Sequence, residues 1–368
     1  MRFYVPTDIY VEKNCVKNHA KDLLAIGKRA LVMTGRSSAA ANGSLIDVTE
    51  VLKAGEIPFQ IFNEVEENPS TDTVGKALQI ARDFNADYVI GIGGGSAIDA
   101  AKAVALLLSN PDLHADELHK VPQNPLDHVP VVAVPTTCGT GSEVTPVAII
   151  TNRKINLKKS IPHVIFPTLA LVDGKYLASA KKTLIVNTAV DALAHMVESI
   201  LNVKSNTLNR MCPEYGLKLW GEYKDTLLSD SDVDESLYEK LMFTSTIAGM
   251  SIAQTSTAVP HGMSYDLTLH AGVPHGPAVG YFLAAYTEVC AKFVPQDVAK
   301  ILSLLQLQNI GEFYEMLRHL IGTCTVTRQM RDNFAAAMKV NHSKLDLVPG
   351  SITAKDIDYI YEKSLVVE

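Results

Sequence analysis

Residues 88–96 read YVIGIGGGS, an apolar run that passes directly into three consecutive glycines and a serine. The apolar part is typical of a buried strand, and the pattern at 97–108 is typical of a helix. Glycines at such a turn let the backbone approach a phosphate closely, while the first N–H groups of the helix face the anion. The spacing is not that of a G-x-G-x-x-G fingerprint, so a plain glycine-rich turn is the alternative.

The same alternation of strand and helix extends to both sides of this stretch. Strand-like runs occupy 29–34, 59–62, 88–92, 131–134 and 169–172, and helical patterns occupy 73–85 and 97–108. This order predicts an α/β fold with a parallel, doubly wound sheet. Ligands of such sheets bind at the carboxyl ends of the strands, which limits the search for a site to a few loops.

After about residue 179 the strand-like runs largely disappear. Long helical patterns replace them at 187–201, 206–228, 235–254 and 294–305. We therefore predict two domains, an α/β domain at 1–180 and an all-α domain at 181–368. No flexible linker separates them, so we expect close packing with a cleft between them.

Composition excludes several classes of protein. The net charge of −7 comes with scattered basic residues, whereas a nucleic-acid-binding surface needs a basic stripe. The five cysteines are widely spaced and form no Cys-x-x-Cys pair, which argues against disulfides and a thiolate zinc site. No signal-peptide pattern opens the chain, and no apolar run approaches the roughly 20 residues of a membrane helix. We expect a reduced, cytoplasmic protein with neither nucleic-acid nor membrane partners.

Two more loops follow predicted strands. The loop at 135–143 reads PTTCGTGSE, whose hydroxyls and glycines form a polar surface that a ligand can approach closely. Cys138 has no histidine nearby in the sequence and is interpreted as a packed residue. The loop at 34–38 reads TGRSS, with Arg36 in the region where an acid would hold a ribose 2′-hydroxyl. A basic residue accommodates a 2′-phosphate instead, which favours NADP, with NAD as the alternative.

A different set of residues indicates a metal. Asp191 and His195 are four apart in an apolar helical run, so both lie on one face and need partners. A local Asp–His hydrogen bond is the simpler explanation for this pair alone. His261 and His275, each followed by glycine, complete a set of one carboxylate and three imidazoles. Such ligands suit Fe(II), Zn(II), Co(II) or Ni(II). His270 is interpreted as a pocket residue, because a fifth protein ligand would crowd the site.

Taken in order, these motifs resemble those of the iron-containing, or group III, alcohol dehydrogenase family. The resemblance runs along essentially the whole chain, and its likeness is greatest to members described as NADP-dependent butanol or 1,3-propanediol dehydrogenases. The matching pieces are 67–70 (ENPS), 93–96 with Asp99 and Lys102, 135–137 through 141–145, Asp191 with His195 and Glu198, His261-Gly262, His275-Gly276, and the pattern at 34–35 and 42–45.

The resemblance implies a fold, an activity and a set of site residues. It implies a dehydroquinate synthase-like α/β domain followed by a helical domain, a homodimer, and hydride transfer between NAD(P)(H) and a small primary alcohol or aldehyde. Iron is the expected metal and Zn(II) the alternative, held by Asp191, His195, His261 and His275. The cofactor-binding residues that follow from the loops and the resemblance are Gly35, Arg36, Ser37, Asn68, Gly94, Gly95, Ser96, Asp99, Thr136, Thr137, Thr145 and Lys158, with Lys159 as the alternative to Lys158.

The chain departs from the family pattern in two places, one of which is a proline common before the first metal motif that is absent around Lys181 and Lys182. Many members carry a second histidine four residues after the one matching His261, and this chain has Tyr265 there. The catalytic proton relay is therefore predicted to use Tyr265, His270 or water. Three alternative functions stay open: a metal lyase of the dehydroquinate synthase type, a 4-hydroxybutyrate- or lactaldehyde-type reductase of the same family, and a non-catalytic nucleotide-binding protein. The lyase would need several basic pocket residues, and 261–275 contains none.

Overall fold

The computed structural model describes the whole chain, Met1–Glu368, and contains ten strands and sixteen α-helices. The strands are β1 (Asp8–Val11), β2 (Ala30–Thr34), β3 (Phe59–Phe62), β4 (Tyr88–Gly93), β5 (Val131–Pro135), β6 (Ile149–Asn152), β7 (Leu157–Ser160), β8 (Leu169–Val172), β9 (Cys324–Val326) and β10 (Leu365–Val367). The helices are α1 (Cys15–Asn18), α2 (Ala20–Leu24), α3 (Ser38–Ala41), α4 (Ser44–Ala54), α5 (Thr71–Phe84), α6 (Gly95–Ser109), α7 (Lys182–Ile200), α8 (Met211–Leu228), α9 (Glu235–Thr255), α10 (Val259–His270), α11 (His275–Cys290), α12 (Pro295–Leu304), α13 (Ile310–Ile321), α14 (Arg328–Lys339), α15 (His342–Leu345) and α16 (Ala354–Ser364).

The chain separates into two compact units. One unit contains Val5–Ala180 and Asp234–Gly249, and the other contains Met1–Tyr4, Lys181–Val233 and Met250–Glu368. A simple division into domains 1–180 and 181–368 differs from these units at the first four residues and at 234–249, and it stays a prediction. None of the helices combines the length and the apolar character needed to cross a membrane.

The first unit is built on a six-stranded sheet in the order β1-β8-β5-β4-β2-β3, with every strand pair parallel. The predicted parallel, doubly wound sheet is therefore confirmed, and each of the five predicted strands forms. Strand β1 was not predicted, because it is a short edge strand whose residues are only partly buried. The strand order reverses between β2 and β4, and the loops after these two strands lie side by side where ligands of such sheets bind.

Helices cover both faces of this sheet. Successive side chains of a strand point to opposite faces, so Leu31 and Met33 pack with α5 and α6, whereas Ala30 and Val32 pack with α1, α2 and α4. The central strands are buried on both faces and consist almost entirely of apolar residues, as parallel sheets require. This double burial explains why their sequence signal is strong.

The second unit is helical and is organised around α7, which is buried along most of its length. The indole N–H of Trp220 on α8 donates to the carbonyl of Ala189 at 2.9 Å. On α11, a Cβ at Gly280 would lie 2.6 Å from Cγ1 of Val190. This position has no room for a side chain, so glycine lets α11 pack closely against α7. The two-stranded parallel sheet of β9 and β10 also lies in this unit and was not predicted.

Candidate metal centre and cofactor-binding loops

Three helices of the second unit bring four predicted residues together. Asp191 and His195 lie one turn apart on α7, His261 lies in the first turn of α10, and His275 is the first residue of α11. Oδ1 of Asp191 is 3.4 Å from Nε2 of His261. It is 3.7 Å from Nε2 of His195 and 3.7 Å from Nε2 of His275. Three imidazole nitrogens therefore converge on one carboxylate oxygen.

The chemistry of this cluster fits a divalent cation. Asp191, His195 and His261 are buried, whereas the His275 side chain is 31% exposed and leaves one side of the cluster open. Oδ1 of Asp191 and Nε2 of His261 are buried and have no hydrogen bond. Nδ1 of His261 faces Glu198, so a neutral ring would direct the lone pair of Nε2 at the carboxylate. Two buried acceptors at this distance need a metal ion or a proton between them.

The electrostatics of the cluster also favour positive charge. Burial acts to raise the pKa of Asp191, but the three surrounding histidines hold it well below its usual range. Burial acts to lower the pKa of His261, but the Glu198 and Asp191 carboxylates raise it to about 9. A proton is thus held strongly here when no cation competes for the same nitrogen. Metal ions and protons are expected to compete for this site.

Packing explains the glycine that follows each of two histidines. A Cβ at Gly262 would lie 3.0 Å from Cγ of Lys344 and 3.2 Å from Sδ of Met338. A Cβ at Gly276 would overlap the carbonyl oxygen of Asn187 on α7. The absence of a side chain at 276 therefore allows the start of α11, with His275, to approach α7.

The two predicted relay residues lie at different distances from the metal-ligand cluster. Tyr265 lies one turn beyond His261 on α10, and its ring stacks near that of His275 with centroids 6.5 Å apart. His270 is the last residue of α10, is exposed and stacks on Phe334 at 5.9 Å. It lies about 13 Å further along the helix axis than His261. Tyr265 is thus brought to the cluster, whereas His270 is not.

The predicted glycine-rich loop joins β4 to α6 in the first unit. Gly93 has φ = 152°, a conformation that side chains disfavour, and a Cβ there would lie 2.8 Å from that of Ala97. Gly94 is the N-cap of α6, with no side chain to compete for the N–H groups of the first turn. Thr137 borders this loop, because a Cβ at Gly94 would lie 3.1 Å from its Oγ1. The geometry provides a helix N-terminus whose first residues, Gly94 and Gly95, add no side chain of their own, with Thr137 beside it.

The other cofactor-binding candidates lie around this loop or follow neighbouring strands. Gly35, Arg36 and Ser37 follow β2, with Arg36 and Ser37 exposed. Thr136 and Thr137 follow β5, and the N–H of Thr136 donates to the carbonyl of Gly93 at 2.9 Å. Parallel neighbouring strands place these loops at one edge of the sheet.

Asn68, Ser96 and Lys158 extend this edge. The N–H of Asn68 donates to Oγ of Ser96 at 3.2 Å, which joins the 67–70 segment to the start of α6. Lys158 pairs with Thr151 in the β6–β7 hairpin, and the N–H of Thr151 donates to the carbonyl of Pro69 at 2.8 Å. The hairpin that carries Lys158 is therefore attached to the segment that carries Asn68.

Asp99 has a different environment from the one the sequence indicated. Its Oδ1 accepts from the Ser142 hydroxyl at 2.6 Å and its Oδ2 from the N–H of Ile149 at 2.8 Å. The fully buried Lys102 donates to Ser142 Oγ, Thr145 O and Val147 O at 2.8–2.9 Å. Both side chains bind the 142–149 loop to α6, so they support Thr145. Asp99 and Lys102 could be singled out from the sequence, but only the structure shows that both side chains face the 142–149 loop.

With this geometry in place, comparison with known proteins is decisive. The family model for iron-containing alcohol dehydrogenase matches residues 6–174, and the model for the C-terminal part of the Fe-containing alcohol dehydrogenase family matches residues 185–347. The chain belongs to the iron-containing alcohol dehydrogenase family. A solved iron-containing alcohol dehydrogenase from Thermotoga maritima is similar over 99% of both chains, with 34% identity and a TM-score of 0.90. The predicted family and the dehydroquinate synthase-like fold are confirmed.

Two curated relatives of the family show how much of each protein is shared. An NADPH-dependent butanol dehydrogenase from Clostridium saccharobutylicum is 28% identical over 83% of this chain and 78% of its own length. A bifunctional aldehyde-alcohol dehydrogenase from Escherichia coli is 30% identical over 74% of this chain. The match covers only 32% of that bifunctional relative. The chain thus spans about a third of that relative's length.

Proposed function

We propose that this chain is a metal-dependent oxidoreductase that transfers a hydride between NAD(P)(H) and a small primary alcohol or aldehyde. The observation that carries the proposal is the convergence of three imidazole nitrogens on the Asp191 carboxylate, in a member of the iron-containing alcohol dehydrogenase family. A non-catalytic nucleotide-binding protein would have no use for such a cluster.

Asp191, His195, His261 and His275 are the proposed metal ligands. A bound divalent cation supplies Lewis acidity, which favours the deprotonated alcohol and polarises an aldehyde carbonyl. The family name favours Fe(II), and Zn(II) is the alternative because imidazole-rich sites bind it more tightly. The partly exposed His275 marks the side of the cluster that substrate would approach.

The loops at the sheet edge are the proposed cofactor site. The start of α6, with Gly94, Gly95 and Ser96, supplies backbone N–H groups for the pyrophosphate. The candidates placed along the rest of the cofactor are Asn68, Thr136, Thr137, Thr145 and Lys158, with Asp99 holding the loop of Thr145. The nicotinamide supplies the hydride chemistry.

NADP is the proposed form of the cofactor. Arg36 is an exposed cation directly after β2, flanked by Gly35 and Ser37, where a ribose 2′-phosphate would find a charge partner. The relative from Clostridium saccharobutylicum is named as NADPH-dependent, which supports the proposal of NADP for this chain.

Tyr265 is the proposed proton-relay residue. Its position near His275 allows its hydroxyl to exchange a proton with a substrate oxygen at the open side of the cluster. His270 is not proposed for this role, because it is exposed at the end of α10 and stacks on Phe334.

A homodimer in the cytoplasm is the proposed state of the protein. The dimer rests on the family resemblance, and the reduced compartment rests on five free cysteines, four of them buried. Light scattering coupled to size-exclusion chromatography tests the dimer, and a mass of a single 39.9 kDa chain would overturn it.

The experiment that tests the activity is anaerobic oxidation of NADPH and NADH with butyraldehyde by the Fe(II)-loaded protein, repeated with Zn(II) and after chelation. Turnover that is lost on chelation and is faster with NADPH is the expected result. Faster turnover with NADH would overturn the cofactor proposal only. No turnover of any small aldehyde or alcohol with either metal would overturn the proposed activity.

A further inference from the structure

The buried carboxylate of Glu198 contacts one residue of the metal-ligand cluster but is not itself a proposed ligand. Glu198 is on α7, two turns beyond Asp191 and one turn beyond His195, and is fully buried. Its Oε1 lies 2.5 Å from Nδ1 of His261, on the side of the ring opposite the nitrogen that faces Asp191. Its Oε2 accepts the backbone N–H of Ala258.

Both contacts act on the same short segment. Ala258 is the N-cap of α10, and its methyl side chain cannot accept a hydrogen bond from the first turn as Ser or Asp would. Glu198, on a different helix, accepts the N–H of Ala258 itself and so fixes the residue from which α10 begins. His261 follows in the first turn of α10, so one carboxylate holds the helix start and the ring.

The ring contact has a chemical consequence. A carboxylate at this distance accepts only if Nδ1 carries the proton. Neutral imidazole then has its lone pair on Nε2, the nitrogen that points to Oδ1 of Asp191. Partners of this kind fix the tautomer and the orientation of metal-binding histidines and make the ligand more basic.

We propose that Glu198 is a positioning residue of the metal centre, which holds His261 as the Nδ1–H tautomer with Nε2 directed at the cation. This inference rests on the proposed metal site. A purely structural role for Glu198 predicts a different outcome, because loss of a buried hydrogen bond would lower stability without a specific effect on metal affinity.

The test compares Glu198→Gln and Glu198→Ala with Ser199→Ala. Ser199 is the adjacent buried residue of α7 and donates to the carbonyl of Ser251 at 3.3 Å, so its replacement also removes a buried hydrogen bond. For each variant, the dissociation constant for Co(II) and Zn(II) is measured by competition with a chelator. The visible spectrum of the Co(II) protein and thermal unfolding of the apoprotein are recorded beside it.

We expect both Glu198 variants to bind metal about 10- to 100-fold more weakly and to show a changed Co(II) spectrum. Ser199→Ala should keep the wild-type affinity even where its apoprotein is less stable. Glu198→Gln with wild-type metal affinity and spectrum would overturn the inference. A wild-type protein that binds neither metal would instead overturn the proposed metal site.

A second measurement needs no folded variant. In Zn(II)-loaded wild-type protein labelled with ¹⁵N-histidine, two-bond proton–nitrogen spectra identify the nitrogen that carries the proton. A protonated Nδ1 on His261 with Nε2 bound to zinc is expected. Zinc on Nδ1 of His261 would contradict the inference directly.

Discussion

Oδ1 of Asp191 and Nε2 of His261 face each other at 3.4 Å in the buried interior, and neither has a hydrogen bond. The opposite nitrogen of His261 is engaged by Glu198, so the facing pair cannot satisfy itself when the ring is neutral. A cation resolves this conflict, since it is the partner that both atoms can bind. The pair therefore links the packing of α7 and α10 directly to metal binding.

Replacing a member of this pair should remove the metal. His261→Ala should lose bound Fe(II) and Zn(II) and most activity, and its apoprotein should be less stable because Glu198 stays buried without its ring partner. His270→Ala, on the exposed end of the same helix, is the matched control and should keep its metal. Metal content after dialysis against a defined metal buffer measures both. Wild-type metal content in His261→Ala would rule out the ligand assignment.

The glycine after His275 should be indispensable. Gly276→Ala puts a Cβ into the carbonyl of Asn187, so α11 must shift and carry His275 away from Asp191. We expect a loss of about 1–3 kcal/mol in the free energy of unfolding, together with weaker metal binding. Gly75→Ala, inside α5 with its nearest contact at 3.8 Å, should be stabilising by about 0.5–1 kcal/mol. Denaturant unfolding of both variants gives the comparison, and equal effects would contradict the packing argument.

Lys102 should control cofactor affinity without touching the cofactor. Lys102→Met removes four hydrogen bonds to the 142–147 loop and frees the loop that carries Thr145. NADPH titration by fluorescence should show a dissociation constant raised about tenfold, which corresponds to about 1.4 kcal/mol. The exposed Lys120, paired with Glu117, provides a control in Lys120→Met, which should bind NADPH like the wild type. Unchanged affinity in Lys102→Met would show that the loop holds its shape without this lysine.

Lys102 should also make stability depend on pH in the alkaline range. Burial lowers its pKa from 10.5 to about 8, although Asp99 and Glu143 act to raise it. Between these values the unfolded chain binds more protons at Lys102 than the folded chain, so its contribution to the free energy of unfolding rises with pH. The penalty for burying the charge is fully present below pH 8 and fades above it. Between about pH 7.5 and about pH 10, the denaturant midpoint of wild type should therefore shift further toward higher stability than the midpoint of Lys102→Met. Parallel pH profiles would refute this.

Tyr265 should affect turnover and leave the metal in place. Tyr265→Phe keeps the ring that stacks near His275 and removes only the hydroxyl. We expect kcat to fall about 10²- to 10⁴-fold, the range of general acid–base contributions, with unchanged metal content. A wild-type kcat with an unchanged pH profile would assign the relay to water.

Much of the fold could be predicted because its signals are local. The central strands are buried on both faces, so their residues are apolar in unbroken runs, and the turn into α6 needs glycine at Gly93 because of its φ of 152°. Strand β1 and the hairpin of β6 and β7 carried weaker signals, because their residues are partly exposed and mix polar with apolar types. Such short, half-exposed strands are specified by the neighbours that they pair with.

The sequence by itself determined the family, the parallel sheet and the four candidate metal ligands, because regular spacing and a fixed order of motifs are properties of the chain alone. Only the tertiary structure decided which side chains meet. It placed Glu198 behind His261, directed Asp99 and Lys102 toward the 142–149 loop, and separated His270 from the cluster. The reason is physical: periodicity fixes the face of a helix that a residue occupies, whereas the partner of that face depends on how closely distant helices pack.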